Sequence, residues 1–166
     1  MTKIGLLSDT HGCFPKQIME HFANVDEIWH AGDIGTIEVA DKLEKMKPLR
    51  AVFGNIDGHE LRVRYPEINH FTIENMSVYM THIGGYPPKY NTIVKPQLSL
   101  HKPHLFICGH SHILKVIPDI NLNLLHLNPG ACGNAGWHKI NTLMRFNVND
   151  NRIQDLEIIE FERGKL

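Results

Sequence analysis

Three short apolar runs, each broken by the same kind of loop, constrain the first third of this chain more than any other feature. Residues 4–7 run into Ser8-Asp9-Thr10-His11-Gly12, residues 27–30 into Gly32-Asp33, and residues 50–53 into Gly54-Asn55. Apolar runs this short, stopped by glycine and polar residues, read as buried strands. Helical stretches fit between them. Pro15 sits near the start of one that reaches Phe22, a place where proline is tolerated. Thr36 reads as the N-cap of another over 37–46, with Ile37, Ala40 and Leu43 at helical spacing and Pro48 ending it. The order β-α-β-α-β predicts a parallel sheet covered by helices.

The rest is richer in strands. Residues 70–73 and 77–82 flank Glu74-Asn75, which predicts a hairpin. A loop with Gly84, Gly85, Pro87 and Pro88 follows. Residues 91–102 are expected to be partly helical, starting near Lys95 because Pro96 cannot sit deep in a helix. Further strands are expected at 105–108, 113–117, 123–127, 141–148 and 152–161, with turns at 119–121 and 149–151. No linker, repeat or low-complexity tract divides the 166 residues, so one domain over 1–166 is expected.

Net charge is −1, with 17 Lys and Arg against 18 Asp and Glu. That supplies no general attraction to nucleic acid or an acidic membrane. No run approaches the ~20 apolar residues that span a bilayer, and the first residues turn polar too soon for a signal peptide. Cys13, Cys108 and Cys132 are odd in number and far apart, which fits a reducing compartment. A cytoplasmic protein is expected.

Twelve histidines exceed what an ordinary domain of this size needs. Four of them, with two aspartates and one asparagine, fall where an apolar run gives way to a loop: Asp9-x-His11, Gly32-Asp33, Gly54-Asn55, Thr81-His82 and Gly109-His110-x-His112. In parallel α/β sheets, ligands collect beyond the carboxyl ends of strands, so residues distant in sequence can converge. The D-x-H and H-x-H spacings would put two side chains on one side of an extended segment. Imidazoles, carboxylates and an amide oxygen suit divalent first-row metals. Seven ligands are too many for one catalytic ion with an open position. They suit two ions sharing a carboxylate, with a hydroxide between them. One net positive charge would remain to attract an anionic phosphate, and paired ions ~3.5–4 Å apart can clamp both oxygens of an in-line displacement.

This ordered set resembles the calcineurin-like metallophosphoesterase superfamily, and most of all its small cap-less bacterial and archaeal phosphodiesterases. The likeness runs from Asp9 to the Asn128-Pro129-Gly130 turn. It implies a four-layer α-β-β-α sandwich of two mixed sheets flanked by helices, with the site at one end. It also implies that Asp9, His11 and His112 bind one metal, that Asn55, His82 and His110 bind a second, and that Asp33 bridges them. The expected reaction is attack of the bridging hydroxide on phosphorus, with Asp33, Asn55 and His82 as catalytic residues. Two divalent ions are expected, Mn2+ first, with Ni2+, Co2+, Fe2+ or Zn2+ also suited. Small phosphodiesters are the expected substrates, and apolar strand edges allow a homo-oligomer.

Three positions depart from the superfamily pattern. Ile56 stands where many members follow the ligand asparagine with histidine, Phe53 where phosphoprotein phosphatases carry arginine, and Ala131 where serine is common. His59, just past Asn55, is expected to contact the substrate phosphate in place of the missing histidine. His30 admits two readings, a partner steadying the site or a buried hydrogen-bonded residue. His21, His70, His101, His104, His126 and His138 are expected at the surface or in packing, and Cys13 in packing or as a bystander. The rival to an enzyme is a non-enzymatic scaffold, the role of the retromer subunit with this fold. Retention of all seven ligand positions argues against it. The H-x-H-x-D-H signature of metallo-β-lactamases is absent.

Overall fold

The computed structural model describes residues 1–164; the last two residues of the expected domain lie outside the described residues. The chain begins with β1 (Thr2–Leu7), α1 (Lys16–Phe22), β2 (Glu27–His30), α2 (Ile37–Met46), β3 (Leu49–Ala51) and α3 (His59–Arg64). It continues with β4 (Ile68–Ile73), β5 (Met76–Thr81), β6 (Gly85–Tyr86), β7 (Lys89–Tyr90), α4 (Val94–His101) and β8 (Leu105–Ile107). It closes with β9 (Lys115–Asp119), β10 (Leu124–Asn128), β11 (Ile140–Asn149) and β12 (Arg152–Glu162).

Two five-stranded mixed sheets result, in the orders β12-β11-β1-β2-β3 and β4-β5-β8-β10-β9. The pairs β1–β2 and β2–β3 are parallel, as the opening pattern predicts, and β5–β8 and β8–β10 are parallel in the second sheet. Strand side chains alternate in direction, and here both directions are apolar because both faces are covered. Ile4, Leu6, Trp29, Met144 and Phe146 from the first sheet meet Val78, Met80, Leu105 and Ile107 from the second in one core. On the outer face of the first sheet, Leu7, Ile28 and Leu143 pack with Ile18 and Phe22 of α1, Leu43 of α2 and Leu61 of α3. On the outer face of the second, Tyr79 and Phe106 pack with Val94 and Leu98 of α4. The layers are therefore helices, sheet, sheet, helix. Each large side chain fully buried this way contributes about 1.5–3 kcal/mol. Gly5 is required by this packing: a Cβ there would lie 2.8 Å from the Phe22 ring.

Three local expectations change. α3 has no counterpart in the sequence reading, because six residues are too few to display a helical period. Its cues are Glu60 in the first turn and Arg62 and Arg64 in the last, matching the helix dipole. α4 starts one residue earlier than expected, with Pro96 third in the helix; its missing N–H is one of those with no intrahelical partner. Thr36 stands at the N-cap of α2 in an extended conformation, but its side chain makes no capping hydrogen bond.

Candidate metal centre

Loops leaving the carboxyl ends of β1, β2, β3, β5 and β8 carry the seven candidate ligands. Backbone hydrogen bonds stitch several of these loops together. The Asp9 N–H donates to Gly32 O (3.0 Å), the His11 N–H to Asp33 O (3.0 Å), and the Gly109 N–H to His82 O (3.0 Å). Glycine permits the close approach: a Cβ on Gly54 would fall 2.0 Å from Asp33 Oδ1.

The D-x-H and H-x-H pairs do not work by strand alternation. Both lie in loops. Asp9, His11, Asp33, His110 and His112 all adopt left-handed backbone, with φ of 54°, 47°, 54°, 67° and 57°. Such a conformation costs a residue with a side chain about 1 kcal/mol or more. Tight turns, not the period of a strand, bring the paired side chains to the centre.

The potential ligand atoms of Asp9, His11 and His112 lie within 4.8 Å of one another, and those of Asp33, His82 and His110 do likewise. Asp33 faces both groups: its Oδ2 is 3.6 Å from His11 Nε2 and its Oδ1 is 3.2 Å from His82 Nε2. Asp9 Oδ1 is 3.2 Å from His112 Nε2 and 3.9 Å from His82 Nε2. Asp9, Asp33 and His82 are buried, which is costly for carboxylates without compensating charge. Burial pushes the Asp9 carboxyl up, but the imidazoles of His11, His112 and His82 outweigh it and hold its pKa well below the usual range. Asp33 is also lowered; there burial is overcome by His82. Conversely, His82 is raised despite its burial by Asp33 and Asp9, and His112 is raised by the Asp9 carboxylate beside it.

Among the described residues, two buried atoms of this cluster have no hydrogen-bond partner, Asp9 Oδ1 and His82 Nε2. The other ring nitrogen of His82 lies 2.8 Å from Ala31 O, to which it donates. The neutral ring therefore presents a bare lone pair at Nε2. A buried carboxylate oxygen and a buried imidazole lone pair, both unpaired, fit a divalent cation.

Asn55 is exposed and shares a shallow pocket with His82, Thr81 and Arg62. His59 opens α3 and lines a different pocket with Gly35, Thr36 and Glu38; among the described residues, no hydrogen bond or ion pair joins it to the seven. Both readings of His30 hold together. It is fully buried, and burial pushes its pKa down to about 4. The Gly32 N–H donates to its Nδ1 (3.1 Å), so its Nε2 donates to Thr10 Oγ1 (2.9 Å), linking the Asp9 and Asp33 loops.

Three supporting residues escape the sequence reading. Asp57 is buried and accepts from the backbone N–H groups of Ile34 (3.1 Å), Gly35 (2.7 Å) and Gly54 (2.8 Å), tying the Asp33 loop to the Asn55 loop. Arg62 donates to the carbonyls of Asp57 (2.7 Å), Gly54 (3.2 Å) and Asn55 (3.1 Å). Its guanidinium lies over the Phe53 ring, 4.5 Å from the centroid. His138, expected in packing or at the surface, touches the candidate ligand His112 instead. The available cue was the last histidine of the chain, eight residues beyond Gly130.

Known proteins resemble this chain in sequence and in fold. Residues 2–151 match the calcineurin-like phosphoesterase superfamily domain. A probable metallophosphoesterase of Methanothermobacter thermautotrophicus is 32% identical over 136 residues, covering 77% of this chain and 76% of that protein. A phosphodiesterase of Methanocaldococcus jannaschii is 27% identical over 146 residues, covering 78% and 84%. The fold is also that of wild-type Vps29 of Entamoeba histolytica, solved in complex with Zn2+, at a TM-score of 0.75 and 15% identity over 96% of this chain and 98% of that one. The chain belongs to the calcineurin-like phosphoesterase superfamily.

Proposed function

We propose that this protein is a phosphodiesterase working with two divalent metal ions, Mn2+ foremost. In this reading Asp9, His11 and His112 would hold one ion, Asn55, His82 and His110 would hold the other, and Asp33 would serve both. When bound, such ions polarise the phosphoryl oxygens and lower the pKa of water so that hydroxide is available as nucleophile near neutral pH. The chain's own residues fix the geometry. The bond from His82 Nδ1 to Ala31 O keeps Nε2 aimed inward. The Ile56 N–H donates to Asp33 Oδ1 (3.1 Å), and the His110 N–H to Asp9 Oδ2 (3.2 Å), setting both carboxylates in place. Asn55 and His110 are exposed at the rim, so small phosphodiesters can reach the site, with phosphomonoesters as slower substrates.

The observation that carries this reading is the pair of unpartnered buried atoms, Asp9 Oδ1 and His82 Nε2, among converging ligands. The test is hydrolysis of bis(p-nitrophenyl) phosphate by metal-stripped protein on adding Mn, Ni, Co, Zn, Fe or Mg, with Asp33→Asn in parallel. Activity restored by metal and lost in Asp33→Asn is expected. A folded protein that binds no metal would instead support the scaffold reading.

A further inference from the structure

Trp137 is fully exposed, at 100% of its accessible surface, whereas the chain's other tryptophan, Trp29, is fully buried. An uncovered indole is unusual, because this side chain normally hides most of its large apolar surface. Its loop is not loose. The Arg163 guanidinium donates to the carbonyls of Asn134, Gly136 and His138, which bracket Trp137 on both sides. His138 donates from Nε2 to Gly133 O (2.9 Å). The backbone is fastened while the indole stands in water.

The loop is also pressed against the candidate metal centre. Gly136 has φ of +99°, and a Cβ there would lie 2.5 Å from Nδ1 of His112. Trp137 lines one open depression with His110, His112 and Ile113, and Ile113 is itself 56% exposed. Two candidate ligands and two exposed apolar side chains thus share a single surface.

We propose that this depression is a subsite for the organic part of the substrate, and that the indole stacks on a nucleobase. The inference rests on the phosphoesterase reading and narrows its substrate class to nucleotide-type phosphoesters. A phosphate held by His110 and His112 through metal would leave its ester group beside Trp137. A flat aromatic base suits an indole face, and stacking of this kind tolerates any base because each has a π-face. Two apolar side chains are too small a patch for a protein interface. A long nucleic acid would need a basic track, which a net charge of −1 does not suggest. The fit is to a mononucleotide-sized ester.

The test is calorimetric titration of the Mn2+-loaded full chain with AMP and with ribose 5-phosphate, in wild type, Trp137→Ala and Trp137→Phe. Wild type is expected to bind AMP about 5- to 150-fold more tightly than ribose 5-phosphate, the range of one base stack. Trp137→Ala should erase that preference while keeping its affinity for ribose 5-phosphate, and Trp137→Phe should keep part of it. Equal affinity of wild type for both compounds, or a preference surviving in Trp137→Ala, would overturn the subsite alone. Failure of wild type to bind either compound would overturn the phosphoesterase reading with it.

Discussion

Nδ1 of His138 lies 3.3 Å from Nδ1 of His112. One of the two nitrogens must carry the hydrogen, and the surroundings decide which. Nε2 of His138 is 2.9 Å from Gly133 O, which can only accept, and 3.0 Å from Asn141 Oδ1. The Asn141 amide donates from Nδ2 to Cys132 O (2.9 Å), which leaves its oxygen as the acceptor. His138 therefore carries its hydrogen on Nε2, and its neutral Nδ1 accepts from His112. That leaves the lone pair of His112 on Nε2, directed at Asp9 and His11, as a metal ligand requires.

Removing that partner should loosen the ligand without unfolding the chain. His138→Ala is expected to weaken metal binding at the Asp9, His11 and His112 group by about 10- to 100-fold, the range for lost support of a ligating histidine. Titration of metal-free protein with Mn2+ reads this directly. Unchanged affinity would mean that His138 does not set the tautomer.

Asp57 makes a separate prediction about stability. Asp57→Ala strands three backbone N–H groups, two of them in buried hydrogen bonds. At about 1 kcal/mol or more for each unsatisfied group, the loss should reach about 3 kcal/mol, a Tm drop of roughly 6–12 °C. Asp57→Asn keeps one acceptor oxygen and should lose less. Thermal unfolding of the two variants checks the order.

Gly54→Ala tests the geometry at Asp33. The added methyl would meet Asp33 Oδ1 at 2.0 Å and the Asp33 backbone nitrogen at 2.3 Å. Either the carboxylate or its loop must move. A displacement near 1 Å at a reacting centre costs about 100-fold in rate, so metal-dependent hydrolysis should fall at least that far. Activity within a few-fold of wild type would show that Asp33 is not positioned as described.

Acid should destabilise the protein over a defined window. Burial pushes both His30 and His126 from 6.5 down to about 4. The unfolded chain therefore takes up these protons first, as pH falls below about 6.5. Stability is fullest above that value, declines toward about pH 4, and changes no further from these groups below it. Each group accounts for a loss on the order of 3 kcal/mol. His126→Leu should flatten part of the slope, read as Tm against pH from 7 to 4; an unchanged slope would contradict the assignment. His126 is chosen because it lies away from the metal centre, stacked on Phe106 at 5.0 Å.

The parts legible in the sequence were those with strong local signals. Buried strands ending in glycine and polar residues marked the loops of Asp9, Asp33, Asn55, His82 and His110, and the parallel β1-β2-β3 order followed from the alternation of strands and helices. What failed was conformation within the loops. The left-handed φ values of His11, His110 and His112 leave no periodic trace, so strand alternation was the wrong reason for the pairs to converge. His138 and Asp57 were hidden for another reason. The partners that tie them to the site lie 26 residues away at His112 and 22–23 residues away at Gly35 and Ile34, and only tertiary folding brings these together. A short acid in a loop such as Asp57 carries no local pattern that sets it apart from other turn carboxylates.

The proposed two-metal centre would hold two ions side by side with Asp33 between them. Anomalous diffraction from a crystal of the Mn2+-loaded protein measures this directly. Two peaks are expected, one against Asp9, His11 and His112 and one against Asn55, His82 and His110, with an Asp33 oxygen on each. A single peak, or none at full metal loading, would contradict the two-metal account.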